Sequence, residues 1–312
     1  MAFNVQAGTL DDLLRDTYLR LVQDGERVSA NRGRFREIVG ATLELTNVRA
    51  RLSRSESRRR VVSGVAELCW YLSGSNRGDL VVFYMPKYAA ELEEDGTVHG
   101  GYGPRLFGHD QDAQVRNVIA LLKESPTSRR AVVQIFDRSD QRVPRFKDVP
   151  CTCTMQFLLR DGQLHMVVSM RSNDAYVGLP HDVFAFTMLQ EMVARSVNAE
   201  PGRYVHNAGS LHLYDSTEES MKVYLGEGYQ STTDGMPPMP LGDPWCRAEE
   251  LVAAEVQIRA GVPYEQVSLP TDPYWADLAR ILAHHVARKA EDVEAMRRIA
   301  RDMQDAILRE FM

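Results

Sequence analysis

Three β-rich runs in the middle of the chain constrain its fold most strongly. They are RRAVVQIF from Arg129, CTCTMQFLL from Cys151 and QLHMVVSMRS from Gln163. The last two are joined by Asp161-Gly162, a dipeptide typical of a tight hairpin turn. The most apolar helical pattern in the chain, residues 183–197, follows, and RYVHNAGSLHLYD then returns as a strand. This order predicts a sheet that packs against a buried helix.

Helical patterns flank this central region on both sides. Thr9 and Asp12 have the spacing of a capping box at the start of a helix that runs to Gln23, and residues 59–71 repeat the helical spacing. ATLELTNVRA between them alternates like a strand. Residues 275–311 contain no Gly or Pro, which predicts a long helix or a pair of helices. The fold class is therefore α+β, in a single domain of residues 1–312 with a helical C-terminal region from about 245 to 312.

Composition excludes several classes of protein. The net charge of −6 gives no basic surplus for general binding to nucleic acid. MAFNVQAGTLDDLL places acidic residues where a signal peptide has its apolar segment, and no apolar run is long enough to cross a bilayer, so a cytoplasmic protein is expected. The four cysteines are too few and too irregularly spaced for a disulfide scaffold, and we expect free thiols.

Cys151 is the first candidate for chemistry. It follows a proline and opens an alternating run, and a thiol next to arginines can act as a nucleophile in its thiolate form. A small apolar filler is the ordinary alternative for an isolated cysteine. The Cys-x-Cys spacing of Cys151 and Cys153 has no second close pair, so no metal site is predicted.

Six motifs occur in one order along the chain: ELCWYLSG, GGYG, SRRAVVQIF, VPCTCTMQF, RSNDAYVGLPHD and HNAGSLHLYD. Together they resemble the thymidylate synthase family over residues 32–214. The resemblance implies a thymidylate-synthase-like mixed sheet flanked by helices. It also implies that a pyrimidine nucleotide and 5,10-methylenetetrahydrofolate are the substrates, with no metal.

The resemblance implies roles for individual residues. Cys151 matches the nucleophile that adds to C6 of the pyrimidine, and Glu67 matches the glutamate that organises water and proton transfer. Tyr102 matches a tyrosine near the base. Asp174 and Gly178 match positions at the folate pterin.

Phosphate and sugar contacts follow from the same comparison. Arg129 and Arg130 match a pair that reaches the phosphate from the neighbouring subunit, which implies an obligate homodimer. The contacts made within one subunit are matched by Arg171, Ser172 and Arg32, with Arg34 as the alternative to Arg32, and the sugar hydroxyl pair is matched by His212 and Tyr214.

One departure from the family bears on the substrate. Asp182, the last residue of GLPHD, stands where thymidylate synthases have an asparagine. By its place alone Asp182 is also typical of a helix N-cap. An asparagine amide suits uracil, whereas a carboxyl group suits the inverted donors and acceptors of cytosine. The cytidylate hydroxymethylases of phages and of nucleoside-antibiotic pathways are the branches with this exchange.

Other departures lie around the exocyclic carbon. The chain has no tryptophan between Trp70 and Trp245, and Tyr84 and Tyr88 occupy the segment that covers the pterin in the family. Thr152 replaces a histidine, and His181 replaces a phenylalanine. The C-terminal LREFM differs from the family's apolar closing tail. These departures imply a more hydrated wall around the exocyclic carbon, which would let water add to the exocyclic methylene. Tyr84 is expected to contact the folate.

The sequence therefore predicts 5-hydroxymethylation of a cytidine monophosphate. The Arg- and Ala-rich composition and the small Ala175 favour CMP over dCMP. The alternatives are a dCMP hydroxymethylase, a thymidylate synthase acting on dUMP, a noncatalytic nucleotide-binding homologue, and a purely structural interaction protein.

Overall fold

The computed structural model describes residues 3–30, 33–58, 61–108, 113–142, 146–233 and 235–312. Within these ranges one mixed sheet is surrounded by helices, which confirms the α+β fold class. Its strands are β1 (Phe3–Ala7), β2 (Glu26–Ala30), β3 (Gly33–Leu45), β4 (Val132–Gln134), β5 (Thr152–Arg160), β6 (Gln163–Asp174) and β7 (Glu200–Tyr214).

The strand order is β1-β3-β7-β6-β5-β4, and β2 pairs with β3 beside this path. The pairs β1 with β3 and β6 with β7 are parallel, and the other pairs are antiparallel. Asp161 and Gly162 have φ angles of 49° and 75° in the predicted hairpin turn between β5 and β6. Positive φ at both positions suits the turn that matches the twist of two antiparallel strands.

Helices occupy most of the remaining described chain. They are α1 (Leu10–Asp24), α2 (Val61–Leu72), α3 (Gly78–Tyr84), α4 (Gly103–Phe107), α5 (Gln114–Glu124), α6 (Gly178–Ser196), α7 (Glu218–Gly226), α8 (Pro244–Arg259), α9 (Pro273–Lys289), α10 (Val293–Asp302) and α11 (Ala306–Arg309). Thr9 Oγ1 accepts the N–H of Asp12 at 3.1 Å, so the predicted start of α1 is confirmed.

Helix α6 is central to the molecule. It packs on β6 and β7 on one side and on α2 on the other, and almost every one of its residues is buried. Helices α8 and α9 also pack against α2, so the C-terminal region shares one hydrophobic core with the sheet. The core therefore fixes the position of α2 relative to the first turns of α6.

Three expectations about local structure are wrong in detail. The apolar helix begins at Gly178 rather than at residue 183, so Asp182 lies inside it and does not cap it. RRAVVQIF forms only the short strand β4, with Arg129 and Arg130 before it. The C-terminal residues form three helices, α9, α10 and α11, rather than one or two.

Candidate active site

Two carboxyl groups meet where α2 packs against the start of α6. Glu67 on α2 is 7% exposed, and one turn later the Tyr71 hydroxyl donates to its Oε1 at 2.6 Å. Asp182 on α6 is 9% exposed, and its Oδ2 accepts from Nδ2 of Asn173 at 2.6 Å. Both carboxyl groups are thus held by neutral hydrogen-bond donors.

Burial raises the pKa of both groups. The pKa of Glu67 rises to about 7 because its carboxylate is removed from water, although the hydrogen bond from Tyr71 opposes the shift. The pKa of Asp182 rises well above its usual range, first through burial and then through the charge of Glu67, and the bond from Asn173 opposes it. A protonated carboxyl at Asp182 has one O–H donor as well as acceptor oxygens.

Cys151 lies directly before β5 and is half-buried. Its carbonyl accepts from the N–H of Arg171, whose guanidinium donates to the carbonyls of Pro150 and Val149, each at 2.9 Å. The pairing of β5 with β6 shifts register between Thr152 and Thr154, and irregular strands of this kind can re-aim a side chain next to a site. Arg171 therefore anchors the segment that presents the thiol.

Tyr102 lies beneath the same segment. Its hydroxyl donates to Oγ1 of Thr152 at 3.0 Å and accepts the Thr152 N–H at 3.2 Å. Its ring stacks on that of Tyr71, with 5.0 Å between the centroids. Burial, then the charges of Asp182 and Cys151, raise the pKa of Tyr102, so it is a neutral phenol between the thiol and the carboxyl pair.

The predicted sugar and pterin residues lie along β6 and β7. Asp174 is the register partner of His212, and Ser172 Oγ lies 3.5 Å from His212 Nδ1. The His212 and Tyr214 rings meet edge to face at 5.0 Å. Asp174 Oδ1 accepts the N–H groups of Tyr176 and Val177, which fixes the turn into α6.

Gly178 lies against Asp182 and its partner Asn173. A Cβ at this position would lie 3.1 Å from Nδ2 of Asn173 and 3.6 Å from Oδ2 of Asp182. The missing side chain therefore leaves the approach to Asp182 open.

The arginines divide into two groups. Arg171 belongs to the site of its own chain, whereas Arg129 and Arg130 are exposed beside the edge strand β4. Arg32 lies outside the described residues. Arg34, its alternative, is exposed at the start of β3 and pairs with Asp215 at 3.3 Å.

The structure separates the two tyrosines that the sequence placed together. Tyr84 points to the C-terminal helices, with its ring centroid 5.9 Å from that of His285, and burial followed by the charge of Glu255 raises its pKa. Tyr88 packs edge to face on Trp70, and the charges of Glu67 and Asp182 add to burial in raising its pKa. Tyr88 is therefore the tyrosine that faces the carboxyl pair.

Sequence reasoning also missed partners of the carboxyl groups. Tyr71 lies four residues after Glu67, a spacing that places both on one helix face, so helical periodicity could have indicated it. Asn173 lies next to Ser172 in a strand and bonds across to α6, which no local pattern indicates.

No group of three or more His, Cys, Asp or Glu residues in the described ranges is arranged to hold a metal ion. No helix formed by the described residues is both long and apolar enough to span a membrane.

A half-buried thiol, a neutral phenol and two buried carboxyl groups on a mixed sheet form a candidate site for chemistry at a nucleophilic cysteine. The family model for thymidylate synthase matches residues 18–257, and the chain belongs to the thymidylate synthase family. It is 32% identical to a thymidylate synthase of Mycoplasma pneumoniae (strain ATCC 29342 / M129 / Subtype 1) over 139 residues, 45% of this chain and 47% of the relative.

A thymidylate synthase of Bacillus subtilis subsp. natto is 29% identical over 162 residues, which are 50% of this chain and 57% of that protein. The chain therefore spans about half the length of the curated relatives it matches.

Proposed function

We propose that this protein is a folate-dependent 5-hydroxymethylase of a cytidine monophosphate, with CMP preferred to dCMP. The observation that carries the proposal is the buried carboxyl of Asp182, whose pKa is raised well above its usual range. A protonated Asp182 donates to N3 of cytosine and accepts from its N4 amine, and a uracil base inverts both groups. Mismatched donors and acceptors in a buried site cost about 1–3 kcal/mol each, which is enough to select the base.

The rest of the nucleotide fits the residues around Asp182. Arg171 and Ser172 are proposed to bind the phosphate within one subunit, and His212 and Tyr214 the sugar hydroxyl. Ala175 is fully buried, and its N–H donates to the His212 carbonyl at 2.8 Å, so a methyl group lies beside the sugar pair. The proposed preference for CMP over dCMP rests on the small size of this residue.

The folate would bind at the turn before α6. Asp174 and Gly178 are proposed to contact the pterin, and Tyr88 rather than Tyr84 is proposed to form the adjoining wall. The open backbone at Gly178 and the buried Asn173 Oδ1, which has no hydrogen-bond partner in the described chain, fit a polar ligand at this turn. When bound, 5,10-methylenetetrahydrofolate supplies the one-carbon unit.

The proposed mechanism assigns one task to each side chain. Cys151 Sγ adds to C6, and hydrogen bonds from Asp182 stabilise the electron density that moves into the ring, which makes C5 nucleophilic. Tyr102 stays neutral beneath the thiol and borders the base. C5 accepts the one-carbon unit and loses its proton, and the bond from the methylene to the folate nitrogen breaks with release of tetrahydrofolate, which leaves an exocyclic methylene on the base.

Glu67 then takes a proton from the water that adds to this methylene. The bond from C6 to Cys151 breaks, and its electron pair returns to the sulfur. The products are 5-hydroxymethyl-CMP and tetrahydrofolate.

Asp182→Asn tests the proposal directly. The ratio of kcat/KM for CMP to that for dUMP should fall by at least about tenfold, because one donor–acceptor pair is exchanged. Asp161→Asn makes the same chemical change in the exposed hairpin turn, where asparagine tolerates the positive φ, and should leave the ratio unchanged. An Asp182→Asn variant with an unaltered ratio would refute the role of this residue in reading the base.

A second candidate function, thymidylate synthesis from dUMP, is favoured by the names of the curated relatives. That reaction oxidises the folate to dihydrofolate, so the absorbance of dihydrofolate separates the two candidates. Formation of dihydrofolate with dUMP would refute the hydroxymethylase proposal. A noncatalytic nucleotide-binding homologue would bind CMP and release no proton from C5.

A further inference from the structure

His181 lies between Ser63 and Glu67 at the wall of the candidate site. Its Nε2 is 2.8 Å from Ser63 Oγ, and its Nδ1 is 3.9 Å from Glu67 Oε2. The His181 side chain is 23% exposed, so the ring borders the cleft rather than the core. The contact with Ser63 links α2 to α6 and fixes which edge of the ring faces Glu67.

The other groups around Glu67 leave one carboxylate oxygen for this contact. Tyr71 binds Oε1 from the same helix, and Tyr88 and Asp182 face the carboxyl group from their own segments. Oε2 is the oxygen directed toward His181. Among the groups named here, imidazole is the one whose ordinary pKa lies close to the value of about 7 that burial gives Glu67. Proton transfer between the two requires the 3.9 Å separation of Nδ1 and Oε2 to close to a hydrogen bond, directly or through one water.

We propose that His181, oriented by Ser63, is a positioning residue that receives through Glu67 the proton released when water adds to the exocyclic methylene. The inference rests on the proposed function and extends it to the step that distinguishes hydroxymethylation. The phenylalanine that the family resemblance places at this position has no atom that can take up a proton.

The proton balance of the step is simple. The water oxygen forms a bond to the methylene carbon, and one water proton moves to Glu67 Oε2 and on to His181 Nδ1. The electron pair of the exocyclic double bond enters the ring and forms the C5–C6 double bond, while the electron pair of the C6–S bond leaves with the sulfur of Cys151. His181 returns the proton to solvent through its exposed edge.

The first experiment separates proton release at C5 from product formation in His181→Phe. C5-tritiated CMP and methylenetetrahydrofolate are mixed with the enzyme, and tritium release and 5-hydroxymethyl-CMP are followed in parallel. The variant should release about one tritium per site in a burst and then form product about 10–100-fold more slowly than the unaltered enzyme. Equal slowing of both signals, without a burst, would overturn the proposal.

The pH profile gives a second measurement. His181 must be neutral to receive the proton, so protonation of His181 and of Glu67 both slow product formation at acidic pH in the unaltered enzyme. The acidic limb of product formation should therefore be less steep in His181→Phe, which retains only Glu67. His181→Gln keeps a hydrogen-bonding end but cannot accept a proton and should show the same slow phase. Full activity in His181→Gln would show that a hydrogen-bonding side chain is sufficient and would refute the role of His181 as proton acceptor.

Ser63→Ala tests the orienting contact. It should slow product formation in the presence of His181 and have no further effect in His181→Phe, because Ser63 acts through the ring. Ser196→Ala, a half-buried serine at the other end of α6 that binds Trp245 and Met192, is the matched control and should leave the burst unchanged. Additive losses would contradict the proposed chain of contacts.

These outcomes separate the inference from the function on which it rests. An unaltered enzyme that releases no tritium from CMP refutes both. An active enzyme whose His181→Phe variant behaves identically refutes only the role of His181.

Discussion

Asp182 and Glu67 illustrate how a buried site sets protonation at the scale of single residues. The charge of Glu67 adds to burial in raising the pKa of Asp182, so a proton on Asp182 relieves two unfavourable effects at once. Protonated Asp182 has an O–H donor that can face N3 of cytosine, whereas an asparagine is expected to accept from N3–H and donate to O4 of uracil. One atom exchanged in a side chain can therefore change which base is accepted.

Glu67 should make the protein less stable as pH rises. Its folded-state pKa of about 7 exceeds the value of 4.5 for a free glutamate, so between these values the folded chain binds a proton that the unfolded chain has lost. Glu67→Gln lacks this penalty. Its unfolding free energy, relative to that of the unaltered protein, should therefore increase by about 1–3 kcal/mol from about pH 5 to about pH 8. Urea denaturation at both values measures it.

Glu219→Gln, on the exposed face of α7, is the control for this pH experiment. If the unfolding free energies of the unaltered protein and of Glu67→Gln changed in parallel with pH, this result would contradict a raised pKa of Glu67 in the folded state.

Cys151→Ala should reduce turnover by about a thousandfold or more, because no other group replaces the bond to C6. Cys153 lies two residues further along β5 and is similarly half-buried, and Cys153→Ala should keep the rate within about twofold. Both rates are measured by tritium release from C5. Substantial turnover in Cys151→Ala would refute the assigned nucleophile.

At the scale of single residues, the sequence indicated those candidate site residues whose chemistry follows from the residue type. Asp182 and the cysteine after a proline are visible in the letters alone, and the family resemblance implies an asparagine at the position of Asp182. The partners Asn173 and Ser63 were not predictable, because their contacts join β6 to α6 and α2 to α6. Tyr84 and Tyr88 look equivalent in sequence, and only packing directs one to the C-terminal helices and the other to the site.

At the scale of elements, strands and their turn were more predictable than the start of α6. Alternation and Asp161-Gly162 define β5 and β6 because turn chemistry and side-chain period act locally. The apolar pattern begins at residue 183, yet α6 begins at Gly178, and Pro180 lies in its first turn, where backbone N–H groups have no helical partner. Asp182 is consequently too far along α6 to cap it and turns to Asn173 instead.

Asp277 should be the residue that joins the C-terminal helices. It is 1% exposed, binds Arg280 at 2.6 Å and accepts the N–H groups of Gln304 and Asp305 before α11. Asp277→Ala leaves these donors unpaired and should cost about 2–4 kcal/mol of unfolding free energy in urea. Asp292→Ala removes only an N-cap of α10 and should cost about 1 kcal/mol, and equal costs would contradict the joining role.

At the scale of the whole molecule, the C-terminal helices pack against an element of the candidate active site. Helices α8 and α9 pack on α2, which carries Glu67, and Arg259 of α8 binds Asp79 of α3 at 2.8 Å. Helical composition predicted that these residues are helices. It did not predict where they pack, because contacts far apart in sequence depend on the assembled core.

Shared arginines predict that two inactive variants complement each other. If Arg129 and Arg130 complete the site of the partner subunit, mixing Cys151→Ala with the double variant Arg129→Ala/Arg130→Ala restores one intact site in each mixed dimer. Random exchange of subunits then gives about a quarter of full activity. Tritium release after mixing measures it, and each variant mixed with itself is the control. No recovery, with exchange demonstrated, would contradict sharing across subunits.

The central claim is the identity of the base, and one measurement tests it most directly. C5-tritiated CMP, dCMP and dUMP are incubated in parallel with the enzyme and methylenetetrahydrofolate, and tritium release, the nucleotide product and dihydrofolate are followed. We predict the fastest release from CMP, with 5-hydroxymethyl-CMP and no dihydrofolate. Fastest release from dUMP, accompanied by dihydrofolate, would contradict the account.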